Sequence, residues 1–166
     1  MDAAARILVV DDTAFNLKIL FDLLGKEHYE VFVAQSGKKA LEILEATEPD
    51  LILLDIMMPE MGGFEVLKQI KATPIWQEIP VIFVTAKTGH DSLVEGFQLG
   101  AVDYVMKPFQ ADELLARVRT HVALRKAHRE LLKQHTELEL AYAEIKTLQG
   151  LLPLCFNCKK VKDDSG

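Results

Sequence analysis

Cysteine is scarce in this chain: two among 166 residues, too few for a disulfide framework. Long apolar runs are missing. The uninterrupted ones are short, as in Ile7–Val10 and Leu51–Leu54, so no transmembrane span is expected. The start, Met1-Asp2-Ala3-Ala4-Ala5, lacks the basic and apolar regions of a signal peptide, which points to the cytoplasm. Excess positive charge is also absent. A net charge of −6 argues against direct nucleic-acid binding. Gly and Pro disappear between Ala111 and Gly150, so no Gly or Pro break interrupts a helix there. What is present, 49% hydrophobic and 27% charged residues, is the composition of a globular protein.

The acidic charge is uneven. Residues 1–110 carry the whole excess, a net of −8, and the remainder is slightly positive. The acidic part alternates two patterns. Runs rich in Val, Ile and Leu at Ile7–Val10, Val31–Ala34, Leu51–Leu54, Val81–Val84 and Val102–Met106 read as strands buried on both faces. Between them lie helical spacings. Phe15, Ile19, Leu23 and Leu24 mark the expected buried face of the first helix. Ala40, Leu41 and Leu44 mark the second, Phe64, Leu67 and Ile70 the third, and Leu93 and Phe97 the fourth. Gly25 is expected to end the first helix, and Ser36-Gly37 to open the second with Ser36 as cap. Five alternations of strand and helix predict an α/β domain, a parallel sheet covered on both faces.

Ligands of open α/β sheets bind beyond the carboxyl ends of the strands. Asp11 and Asp12 follow the first strand, Asp55 the third, Thr85 the fourth and Lys107 the fifth. Each alone has a plain structural reading: Asp12 as a helix cap, Thr85 as a turn residue, Lys107 as a solvated charge. Together they form one constellation. Three carboxylates at one edge repel unless a cation joins them. Oxygen-only ligands suit Mg²⁺, and a carboxylate beside Mg²⁺ can act as nucleophile toward a phosphoryl group.

The stretches Val9-Val10-Asp11-Asp12, Leu53-Leu54-Asp55-Ile56-Met57-Met58-Pro59, Val84-Thr85-Ala86 and Asp103-Tyr104-Val105-Met106-Lys107-Pro108-Phe109 resemble the receiver domain of two-component response regulators. The resemblance implies a flavodoxin-like (βα)5 doubly wound sheet of strand order 2-1-3-4-5. It implies that Asp55 accepts a phosphoryl group from a sensor histidine kinase or phosphotransfer protein. Asp11, Asp12, Asp55 and the backbone carbonyl of Met57 would hold Mg²⁺. Thr85 and Lys107 would bind the phosphoryl oxygens, and the Lys107–Pro108 bond would be cis. Thr85 and Tyr104 would form the switch that alters the face of helix four, strand five and helix five. The side chains of Met57 and Lys87 would flank the path of attacking water, and neither orients water well. That suggests a long-lived phosphoryl state.

Beyond the fifth strand, Leu114, Leu115, Val118 and Val122 continue a helical face toward the sheet. A seven-residue period then takes over at Leu124, Leu131, Leu138, Ile145 and Leu152. The expected organisation is a receiver at 1–122, a coiled-coil extension at 123–150, and a Cys-pair tail at 151–166, truncated or disordered. The seam Leu124, Leu131, Leu138 and Ile145 predicts a parallel homodimer through the C-terminal helix. The second core position is open between Ala127, Gln134, Ala141, Leu148 and His128, His135, Tyr142, Gln149. Cys155 and Cys158 have the spacing of half a zinc site, but none of the eight residues after them is Cys or His, so two free thiols are the plain reading. The segment resembles a Cys-pair motif that follows signalling helices in some bacterial regulators.

No DNA-binding, cyclase or phosphodiesterase motif is present, so the output is assigned to the chain's own helix or to a domain outside it. Two other classes compete with a phosphorylation-controlled module. A haloacid-dehalogenase-type hydrolase would use a similar pocket but needs Asp-x-Asp after its first strand and a cap domain. A coiled-coil dimerisation adaptor would keep the receiver without switching it by phosphorylation.

Overall fold

The structure, a computed structural model, describes the backbone of residues 4–86 and 90–151 and the side chains of 4–86 and 93–147. The elements alternate as expected: β1 (Arg6–Val10), α1 (Ala14–Lys26), β2 (Glu30–Ala34), α2 (Gly37–Ala46), β3 (Leu51–Leu54), α3 (Gly63–Ala72), β4 (Val81–Thr85), α4 (His90–Gln98), β5 (Asp103–Met106) and α5 (Ala111–Leu151). All strand pairs are parallel, in the order β2-β1-β3-β4-β5. This is the flavodoxin-like doubly wound sheet, with the order reversing between β1 and β3.

Side chains alternate across each strand and feed two cores. Ile7 and Val9 face Leu17, Leu20 and Leu24 of α1 and Leu114, Val118 and Val122 of α5. Leu8 and Val10 face Ala40 and Leu44 of α2 and Val66, Leu67 and Ile70 of α3. Burial of each large side chain contributes roughly 1.5–3 kcal/mol. Two full cores explain why β1, β3 and β4 read as uninterrupted apolar runs.

Local chemistry sets the element ends. Ser36 caps α2, its hydroxyl accepting from the Lys39 N–H at 3.2 Å. Gly63 opens α3 so close to β3 that a Cβ there would lie 2.3 Å from the Asp55 carbonyl oxygen. Two expectations need correction. Gly25 lies inside α1, which runs on to Lys26, and the left-handed turn falls to His28, at φ 64°. The buried face of α1 is Leu17, Leu20 and Leu24, whereas Phe15 is 70% exposed and Ile19 is also in solvent. Apolar residues occur on two sides of α1, so periodicity alone does not select the one that meets the sheet.

The chain divides after Lys126. In the second unit, the described residues are helical throughout and belong to α5. Leu124, just before the division, is 60% exposed. Leu131, Leu138 and Ile145 beyond it are 64%, 68% and 52% exposed in the single chain. Pairs one turn apart line the same stretch: Gln134 donates to Glu130 at 3.0 Å, and His135 lies 3.4 Å from Glu139. Leu152, Cys155 and Cys158 lie outside the described residues.

Candidate functional site

Five of the residues singled out above come together at the carboxyl ends of the strands. Asp11 follows β1 and is buried; Asp12 beside it is exposed. Asp55 follows β3 and is buried, with its backbone N–H bonded to the Val10 carbonyl at 2.9 Å. That bond continues the β1–β3 ladder and brings Asp55 beside Asp11. Thr85 closes β4, fully buried, and its carbonyl accepts from the Lys107 N–H at 2.9 Å. The peptide bond between Lys107 and Pro108 is cis.

Carboxylate oxygens of Asp11, Asp12 and Asp55 all lie within 4.8 Å of one another. The Lys107 ammonium donates to the Asp11 carboxylate at 2.5 Å and to the Asp55 carboxylate at 2.5 Å. Burial acts against the charge on Lys107. The hydrogen bonds and charges of Asp11 and Asp55 outweigh it and hold the ammonium above the ordinary lysine range. The Met57 backbone N–H donates to Asp55 Oδ1 at 3.1 Å, and the Met57 side chain is exposed. An oxygen-only donor set this close, with a strong demand for positive charge, fits a hard divalent cation such as Mg²⁺. Asp11, Asp12 and Asp55 are the side chains able to hold it.

Tyr104 lies on β5, half-buried, with its ring 6.0 Å from that of Phe97 in an edge-on arrangement. Both rings border a small cavity of about 10 Å³, together with Ile56, Phe83 and Leu93. Lys87 lies outside the described residues.

Sequence reasoning missed two groups. Asn16 of α1 donates to both oxygens of Asp11, at 3.0 and 3.1 Å. Its only sequence signal is its place in the first turn of α1, five residues after Asp11. Asp103 accepts from Arg117 Nη1 at 2.7 Å and lies 3.3 Å from His121, joining β5 to α5. Burial opposes its charge, but the bonds from Arg117, the Tyr104 N–H and His121 prevail and hold its carboxyl below the ordinary range.

Known proteins resemble this chain in sequence and in fold. The chain is 47% identical over 133 residues to a Vibrio cholerae protein described as "Probable cyclic di-GMP phosphodiesterase", covering 80% of this chain and 30% of that protein. It is 44% identical over 117 residues to response regulator PleD of Caulobacter vibrioides, covering 70% of this chain and 26% of PleD. The chain thus spans less than a third of these curated relatives. Among solved structures, the V. cholerae chemotaxis protein CheY4 superposes with a TM-score of 0.69 at 30% identity, over 71% of this chain and 98% of that one. A receiver domain protein of Methanospirillum hungatei gives 0.72 at 28% identity, over 76% and 99%. The pattern of the response regulator receiver domain matches residues 7–119, which include every strand residue from Ile7 onward, the three carboxylates, Thr85 and Lys107. With fold, acidic edge and sequence pattern in agreement, the chain belongs to the response regulator receiver domain family.

Proposed function

We propose that this chain is a phosphorylation-activated receiver in which Asp55 accepts a phosphoryl group with Mg²⁺. Receiver domains interact with histidine kinases or phosphotransfer proteins and bind Mg²⁺ at an acidic pocket. The observation that carries the reading here is Lys107, whose ammonium spans Asp11 and Asp55 beside Asp12. An Asp55 carboxylate oxygen attacks the phosphorus of a kinase phosphohistidine. The new O–P bond forms as the P–N bond breaks, and the imidazole leaves with the electron pair. Asp11, Asp12, Asp55 and the Met57 backbone carbonyl would hold Mg²⁺, which when bound would neutralise charge on the transferring group. Lys107 turns from the carboxylates to the phosphoryl oxygens, and the Thr85 hydroxyl donates to one of them. Tyr104 follows Thr85 inward, altering the face of α4, β5 and α5.

The domain assignment follows: receiver over 1–122, coiled-coil extension over 123–150, and the tail beyond. Leu124, Leu131, Leu138 and Ile145 form the seam of a parallel homodimer that carries the change onward. The chain's own chemistry is phosphoryl acceptance and slow loss of the phosphoryl group. Any catalytic output belongs to a partner or to another part of a longer protein, as the cyclic di-GMP name of the V. cholerae relative suggests. Incubation with a small acyl phosphate and Mg²⁺, followed by intact-mass measurement, tests the reading. One phosphoryl group per chain is expected, and none when a chelator removes Mg²⁺. Labelling that ignores the chelator would refute it.

A further inference from the structure

We propose that Asn16 is a positioning residue that holds the Asp11 carboxylate in its cation-binding orientation, an inference that rests on reading the acidic edge as a Mg²⁺-dependent phosphoryl site. Asp11 is buried and receives four hydrogen bonds from three residues. The Thr13 N–H donates to Oδ1 at 2.9 Å, Asn16 Nδ2 reaches Oδ1 at 3.0 Å and Oδ2 at 3.1 Å, and Lys107 Nζ reaches Oδ2.

These donors differ in what they can do when a cation arrives. Lys107 carries a positive charge onto the same oxygens that a cation would use, so the two compete, and its long side chain is free to move to a phosphoryl group. The Thr13 amide touches one oxygen and leaves the carboxylate able to turn about it. Asn16 touches both oxygens from one neutral nitrogen and, with the Thr13 N–H on Oδ1, fixes where the two oxygens lie. Its side chain is short, and its backbone sits in the first turn of α1, anchored below by Leu17 and Leu20 in the core. A neutral donor adds no charge against the cation, so it can remain in place in both the empty and the loaded site. Asp12, by contrast, is exposed, and among the described residues a 3.4 Å contact from the Thr13 hydroxyl is its one side-chain hydrogen bond. Orientation of the acidic pair therefore depends on Asp11, and once Lys107 has left, Asn16 is the side chain that still holds Oδ2 of Asp11, with the Thr13 amide on Oδ1. Residues that orient metal ligands in this way typically change affinity 10–100-fold when removed.

Asn16→Leu keeps the size of the side chain and removes the donor; Asn16→Ala removes both and suits a helix. Calorimetric titration of the full chain with Mg²⁺ alone reads the effect without activity. The expected result is binding about tenfold weaker than wild type in each variant, with cooperative melting retained in chelator. The Mg²⁺ concentration that half-saturates acyl phosphate labelling should rise by the same factor, while the rate at saturating Mg²⁺ stays near wild type. Wild-type binding constants in both variants would overturn the role of Asn16 and leave the site reading standing. An absence of Mg²⁺ binding in wild type would overturn the site reading itself. If Asn16→Leu does not fold, Asn16→Ala carries the same comparison.

Discussion

Lys107 reaches the carboxylates of both Asp11 and Asp55, so its removal leaves three acidic groups with one fewer cation among them. Lys107→Ala is expected to accept phosphoryl on the order of 10²–10³-fold more slowly, since one donor to the developing charge is lost. It should also fail to pass the change to α4, β5 and α5, as read by amide exchange of that face before and after labelling. Normal exchange changes in the variant would make Lys107 a simple surface charge. Asp103 gives a pH-dependent case. Its carboxyl is held below the ordinary range, so its contribution to stability is present above about pH 4 and is lost as pH falls through the lower folded value. Urea melts of wild type and Asp103→Asn should therefore differ most near neutrality and converge in acid. A gap that widens in acid would reverse that sign. The acidic edge was legible from sequence because strand ends and Asp, Thr and Lys are both visible there. Asn16 and the Asp103–Arg117–His121 group were not, because each is assembled across elements or across a helical turn that no run of residues announces.

The sites stand on elements whose ends are set by single residues. Gly63 is the sharpest case: any side chain there meets the Asp55 carbonyl and the Ile56 Cα, which are backbone and cannot turn aside. Gly63→Ala should cost about 1–3 kcal/mol in chemical denaturation, and should also slow labelling of Asp55 by moving its loop. Ser36→Ala removes only a cap bond and should cost about 1 kcal/mol without touching labelling. The two together separate strain at the acceptor loop from ordinary loss of stability. Strands were the most legible elements, because burial on both faces writes itself as Ile7–Val10 or Leu51–Leu54. The first helix was the least. Phe15 and Ile19 satisfy a helical period as well as Leu17, Leu20 and Leu24 do, and the side that meets the sheet is the latter.

At the scale of the whole chain, the receiver pattern ends at residue 119, inside α5, and exposed apolar residues follow along the rest of that helix. Leu131 and Leu138 are largely exposed in one chain, and burying each against a partner helix is worth roughly 1.5–3 kcal/mol. Leu131→Glu with Leu138→Glu should convert a dimer to a monomer by light scattering, with the receiver's own melting unchanged. A surviving dimer would move the interface elsewhere. Spin labels near Ile145 should change their mutual distance when Asp55 is phosphorylated; equal distances in both states would favour a static dimerisation adaptor. All of this depends on one acceptor. Borohydride reduces an acyl phosphate to the alcohol, so reduction after acyl phosphate and Mg²⁺ treatment, followed by peptide mapping, locates the modified residue. Conversion of Asp55 alone, lost in Asp55→Asn, is the expected result. Conversion at another residue, or at wild-type level in Asp55→Asn, would contradict the account.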